Sequence, residues 1–209
     1  VAIDVVPLVG VLAHDAGAVL ARAFQHDPLY SYILAKPDER RSRTPAMFTA
    51  VVRYSMLYGD CTTTRDLAGV ACWLRPGRTT VTLWRIVRAG LGLQTSVARF
   101  SAPARQRFLS VMGYAEETHK RLMTRPHWYL WALGVEPDCQ GQGIGTAILR
   151  PVLERADRDG TPCYLETQTE ANVRFYERRG FAVLEAGEVP GHRVPFWTMV
   201  REAGGRAST

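Results

Sequence analysis

Cysteine is scarce in this chain. Four occur in 209 residues, Cys61, Cys72, Cys139 and Cys163, with no Cys-x-x-Cys pair and no histidine at ligand spacing. That scatter argues against a disulfide framework and against structural zinc, and for a reduced, cytoplasmic setting. Long apolar runs are also missing. None approaches the roughly 18 residues of a membrane span, and no basic-then-apolar leader opens the sequence, so no membrane partner is expected. Lysine is confined to Lys36 and Lys120, so the net charge of +6 rests almost wholly on arginine. The arginines are spread along the chain without a block of like charge or an aromatic-interleaved run. A nucleic-acid surface would be more concentrated, and a phosphorylated small molecule satisfies the same electrostatics. What remains, 46% hydrophobic and 22% charged, is the composition of an ordinary globular protein. The length suits one domain over residues 1–201, with a loose polar tail at 202–209.

The most informative stretch runs from Trp131 to Thr146. Trp131 to Val135 is short, apolar and halted by Pro137, which predicts a strand. Three glycines follow on alternate positions, Gly141, Gly143 and Gly145. Ile144, Ile148, Leu149, Val152, Leu153 and Ala156 then recur at helical spacing. A strand, a glycine turn and a helix together aim unpaired backbone N–H groups and a positive helix end at an anion. Glycine lets phosphate approach the main chain, where a Cβ would intervene. A P-loop is excluded because no lysine follows these glycines. A dinucleotide fingerprint fits poorly. Thr146 stands where its third glycine belongs, five residues separate strand from first glycine, and little chain is left for a second half-sheet, although Glu166 lies at the expected distance. Pro151, well inside the helix, is expected to remove the bond to Ala147 and kink it.

Elsewhere the pattern predicts a strand at Ala2–Val6, a helix at Val11–Phe24 stopped by Asp27-Pro28, and an apolar cluster at Leu29–Leu34. A helix follows from about Thr44 to Tyr58, burying Met47, Phe48, Val51 and Tyr54. Two strands (Cys61–Arg65, Leu67–Leu74) precede helices at Thr80–Leu93 and Pro103–Met123. Residues 78–126 are either a substrate-side insertion or a helical pair covering the sheet. After the central strand His127–Val135 and its helix come a strand at Cys163–Thr167, a short helix at Asn172–Arg179 stopped by Gly180, and strands at Phe181–Val189 and Val194–Val200.

The run Gln140-Gly-Gln-Gly143-Ile-Gly145, flanked by Gly134-Val-Glu-Pro137 and followed by Asn172-x-x-x-Tyr176-Glu-x-x-Gly180-Phe181, resembles the GNAT superfamily of acyl-CoA-dependent N-acyltransferases. The resemblance is strong over about residues 127–185. Within it, Leu-Glu166-Thr and Phe175-Tyr-Glu-Arg-Arg-Gly-Phe181 look like the puromycin N-acetyltransferase-like branch. The resemblance implies an α+β, three-layer fold. Its mixed, largely antiparallel central sheet would splay between two parallel strands, with helices on both faces. It implies acetyl-CoA as cosubstrate, a small-molecule amine as acceptor, no metal, and a monomer or homodimer. Pantetheine would lie along Leu133, Gly134 and Val135. The pyrophosphate would rest on the amides of Gln140, Gly141, Gln142, Gly143, Ile144, Gly145 and Thr146. Tyr176 matches the tyrosine that protonates the departing thiolate, and family pattern sets Asn172 against the cofactor, unless it instead N-caps its helix. Gly134 can alternatively be a close-packing residue. Many relatives keep a glutamate on the central strand as base. None is present here, and Glu166 is the best candidate, with His127 and Glu116 or Glu117 behind it. A protein N-terminal or lysine acetyltransferase and a catalytically silent acyl-CoA-binding module are the other readings.

Overall fold

The computed structural model describes residues 3–89 and 92–204. Its seven strands form one sheet in the order β1-β2-β3-β4-β5-β7-β6. They are β1 (Val5–Pro7), β2 (Gly59–Thr64), β3 (Gly69–Leu74), β4 (Trp128–Val135), β5 (Cys163–Thr167), β6 (Ala182–Glu188) and β7 (Pro195–Arg201). Every pairing is antiparallel except β4 with β5. This is the mixed sheet the sequence implied. The first strand begins later than expected, at Val5, and includes Pro7, which is tolerated because β1 is an edge strand. Ala2 lies outside the described residues.

The helices are α1 (Ala13–Ala23), α2 (Pro28–Ile33), α3 (Pro37–Tyr58), α4 (Leu83–Arg88), α5 (Gly92–Ala98), α6 (Ala102–Leu122), α7 (Ile144–Arg158) and α8 (Glu170–Glu177). One apolar cluster joins α1, α2, α3 and α6 to Val70, Cys72 and Ala132 on one face of the sheet. Another joins α7 and α8 to Ala71, Trp73, Trp128 and Leu130 on the other. Alternation along β3 and β4 therefore feeds both layers. The single helix expected at Thr80–Leu93 is two short pieces, and Gly90 and Leu91 lie outside the described residues. Of the expected loose tail, Glu202 pairs with Arg125 and the Gly204 N–H donates to Asp157 at 2.8 Å. Residues 205–209 lie outside the described ones.

Helix α7 continues through Pro151. The Thr62 hydroxyl on β2 donates to the Ile148 carbonyl at 2.6 Å, three residues before the proline. The sheet thus supplies a donor where the ring disturbs the helical ladder. On the opposite face α1 crosses α3 so closely that a Cβ on Gly17 would stand 2.4 Å from Thr49 Oγ1 and 2.6 Å from Thr49 N. The backbone contact leaves no rotamer to move aside. Gly17→Ala is therefore expected to destabilise the fold by about 1–3 kcal/mol, read as a lower urea midpoint at unchanged slope.

Candidate active site

The site begins with a fault in strand pairing. Strands β4 and β5 pair only at Trp128↔Cys163, Tyr129↔Tyr164 and Leu130↔Leu165, so on that side Trp131 to Val135 has no strand partner. On its other side β4 stays paired with β3 as far as Gly69↔Val135, but the register slips between Cys72↔Ala132 and Trp73↔Leu130. Trp131 is the extra residue of a bulge, which bends a strand and raises its twist. The bulge also inverts the alternation beyond it. Leu133 and Val135 join the α7 layer, while Gly134 turns to α1, where a Cβ would meet Ala23 Cβ at 2.8 Å and Leu20 Cδ2 at 2.9 Å. The close-packing account of Gly134 is correct, and the same residue also lines the cavity at the splay.

That cavity, of about 650 Å³, is bounded by the open stretch of β4, the glycine loop and α8. Of the sequence-predicted cofactor residues, Leu133, Gly134, Val135, Gln140, Gly141, Gly143, Ile144, Gly145, Thr146, Asn172 and Tyr176 all line it. Gln142 is the exception: its side chain turns back to the Asp138 carbonyl at 3.4 Å and borders a different surface hollow. The Gln140 side chain donates to the Val135 carbonyl at 3.2 Å, fastening the loop to the strand. Gly143 caps α7 at φ 83°, a left-handed conformation glycine adopts without strain. Asn172 does not cap α8. Thr169 does, its hydroxyl accepting from the Asn172 N–H at 3.2 Å, so the Asn172 side chain is free to face the cavity.

Sequence reasoning missed several lining residues. Phe24, His26 and Asp27 come from the end of α1 and the start of α2, with no motif to mark them. Asp27 N-caps α2 by accepting from Leu29 N at 2.9 Å, and burial pushes its carboxyl up to about 6. Arg178 and Arg179 follow Tyr176 and also line the cavity. Arg179 bonds the Phe175 carbonyl and the Thr146 hydroxyl and covers the Phe175 ring. Its Nε is buried with no partner among the described residues, an unspent donor on a residue that lines the cavity.

A second, smaller cavity of about 110 Å³ lies on the α6 side of the sheet. Phe24, Leu133, Asn172 and Tyr176 line both, so the two cavities adjoin at the splay. Aromatic and aliphatic groups, including Tyr30, Met112, Trp131 and Phe196, form most of its wall. Glu166 is the one charged side chain lining it. The Tyr129 hydroxyl donates to Glu166 Oε2 at 2.6 Å and the Tyr164 hydroxyl to Oε1 at 2.9 Å. Burial raises the carboxyl to about 7, more than these two bonds lower it. Tyr176 is 7% exposed, and burial holds its phenol well above the usual value. No described residue hydrogen-bonds its hydroxyl, so the phenol is not the cap of an internal network. The other base candidates are engaged by different partners. His127 is buried against His119, and Glu116 is ion-paired to Lys120 at 3.0 Å.

The model of the acetyltransferase (GNAT) family matches residues 65–181. An uncharacterised N-acetyltransferase of Schizosaccharomyces pombe is 27% identical over 195 residues, covering 90% of this chain and 78% of that protein. Among solved structures, a Corynebacterium glutamicum protein described as histone acetyltransferase HPA2 and related acetyltransferase aligns with TM-score 0.67 at 21% identity, over 100% of this chain and 98% of that one. Arylalkylamine N-acetyltransferase 2 from Aedes aegypti aligns with TM-score 0.61 at 12% identity, over 96% and 99%.

Proposed function

Since the chain belongs to the acetyltransferase (GNAT) family, we propose that it transfers an acetyl group from acetyl-CoA to the amine of a small molecule, with both bound at once. The carrying observation is that two cavities adjoin beside the strand splay and share Tyr176, with Glu166 lining the smaller one. Leu165-Glu166-Thr167 and the run from Phe175 to Phe181 resemble the puromycin N-acetyltransferase-like branch, which supports a small-molecule acceptor. Its free cysteines suit a reducing cytoplasm.

The residues present fit CoA. The glycine loop and the start of α7 would hold the pyrophosphate, and the unpaired main chain of Leu133 and Gly134 would take pantetheine as an added strand. Arg178 and Arg179 would meet phosphate charge. When bound, CoA supplies the activated thioester. Glu166 then accepts a proton from the amine as its nitrogen bonds the acetyl carbon. The carbon–sulfur bond breaks, and the Tyr176 hydroxyl gives its proton to the leaving thiolate. The aromatic and aliphatic side chains and single carboxylate lining the smaller cavity favour an amine carrying a small aryl or alkyl body and no second cation.

A thiol-release screen of amines with acetyl-CoA is the direct test. Turnover is expected with compact apolar amines, and failure across a broad panel would leave only acyl-CoA binding. CoA itself is expected to raise the melting temperature. At a hundredfold excess over its dissociation constant the stabilisation is about 2.7 kcal/mol, and absence of any shift in thermal melts counts against the cavity assignment.

A further inference from the structure

We infer that His119 on α6 is a positioning residue for Glu166, acting through the two tyrosines that hold its carboxylate. This deepens the reading of Glu166 as base and rests on it. The tautomers follow from the hydrogen bonds. His127 Nδ1 lies 2.7 Å from the Arg125 carbonyl, which can only accept, so that nitrogen carries the proton. His127 Nε2 is then bare and accepts from His119 Nε2–H across 2.7 Å. Both rings are 3% exposed, and burial depresses both pKa values, His119 to about 4. The pair is therefore neutral and directional at physiological pH, and it ties the end of α6 to the start of β4.

Held this way, the His119 ring lies flat on Tyr164, 4.9 Å between centroids and 15° between planes. It also packs against Tyr129 at 4.7 Å. Tyr129 and Tyr164 are register partners on the two parallel strands, and their hydroxyls take one Glu166 oxygen each. One imidazole thus backs both donors one rung before the last strand pair at the splay. The same helix carries Val111, Met112 and Ala115 into the wall of the smaller cavity, so acceptor wall and base share one support. Other charges also face the cluster, and Glu116 adds to the upward shift of the Glu166 carboxyl. From α6, Glu116 pairs with Lys120 and Arg121 pairs with Glu185 of β6.

The test compares His119→Ala, His119→Phe and Glu166→Gln by the pH dependence of kcat/KM and by NMR titration of carboxyl-labelled glutamate, the Glu166 signal being the one missing from Glu166→Gln. In the unmodified enzyme activity should rise with pH through about 7, where Glu166 loses its proton. With the ring removed, the tyrosines relax and their bonds no longer oppose burial. In His119→Ala the Glu166 titration and the acid limb should move up by at least about half a unit, and kcat should fall about tenfold or more. His119→Phe restores a flat ring without the bond to His127, so it should recover the limb and most of kcat while still melting lower than the unmodified protein. A limb that stays put or moves down in His119→Ala, with kcat within twofold, overturns the inference, as does a His119→Phe no better than His119→Ala. If Glu166→Gln keeps full turnover, the base reading fails. The positioning claim is then still decided by the NMR titration alone.

Discussion

Replacing Tyr176 by Phe is expected to lower kcat by about a hundredfold or more, the usual contribution of a positioned general acid, while leaving the KM for acetyl-CoA within a few-fold. The phenylalanine ring can keep the edge contacts Tyr176 makes with Phe175 at 5.1 Å and Phe181 at 5.6 Å, so the wall shared by the two cavities survives and only the hydroxyl is lost. Its proton matters for a thermodynamic reason. A thiol ionises near 8.5 and an ordinary phenol near 10, and burial raises this phenol further. Transfer to the thiolate is therefore not driven by acidity. It must come from placing the hydroxyl against the sulfur in a site where a bare thiolate would be poorly solvated. Initial rates of thiol release at saturating amine, with the melting temperature as control, decide the matter. A variant turning over within threefold of the unmodified enzyme removes Tyr176 from the chemistry and leaves the thiolate to depart unprotonated.

The glycine loop, its helix and the two parallel strands were legible because each is a local pattern, with glycine where φ turns positive and apolar residues at period 3.6 behind it. The structure departs from the pattern at boundaries where one residue type serves two purposes. Asp27-Pro28 marks a stop for α1 in the sequence pattern, yet aspartate followed by proline is equally a helix start, and Asp27 caps α2. The helix expected from about Thr44 begins seven residues earlier, because Pro37 at the first position with Asp38 and Glu39 in the first turn already opens α3. The site itself divides the same way. Gly143 and Tyr176 sit in motifs. Glu166 owes its raised proton affinity to burial, which Tyr129 and Tyr164 oppose, in surroundings that meet only through strand register and the docking of α6. The bulge at Trp131 was equally hidden, since nothing in Trp131-Ala-Leu-Gly marks one residue as surplus until β3 is laid beside it.

Gly143→Val should abolish productive acetyl-CoA binding, and the argument separates backbone strain from ligand contact. At φ 83° an L-residue is strained by about 1–2 kcal/mol, more when β-branched. If the loop keeps its shape, the strain appears as lost stability. If it relaxes, its amides and those of the first turn of α7 no longer converge on one point, and the loss appears in affinity. Nothing but Ile3 stands within 4 Å of the position of a Cβ here, so the loop is free to relax. Weakening of at least about thirtyfold is expected, the equivalent of some 2 kcal/mol, along with loss of the CoA-dependent rise in melting temperature. Gly160→Val is the matched control. Its φ is 64° and the space around it is open, but it lies beyond the far end of α7 and does not border the cofactor cavity. It should lower the melting temperature and leave the CoA dissociation constant unchanged. Equal affinity in both variants, measured by calorimetry, would mean that the turn at Gly143 is only a helix cap and that the phosphates are held elsewhere.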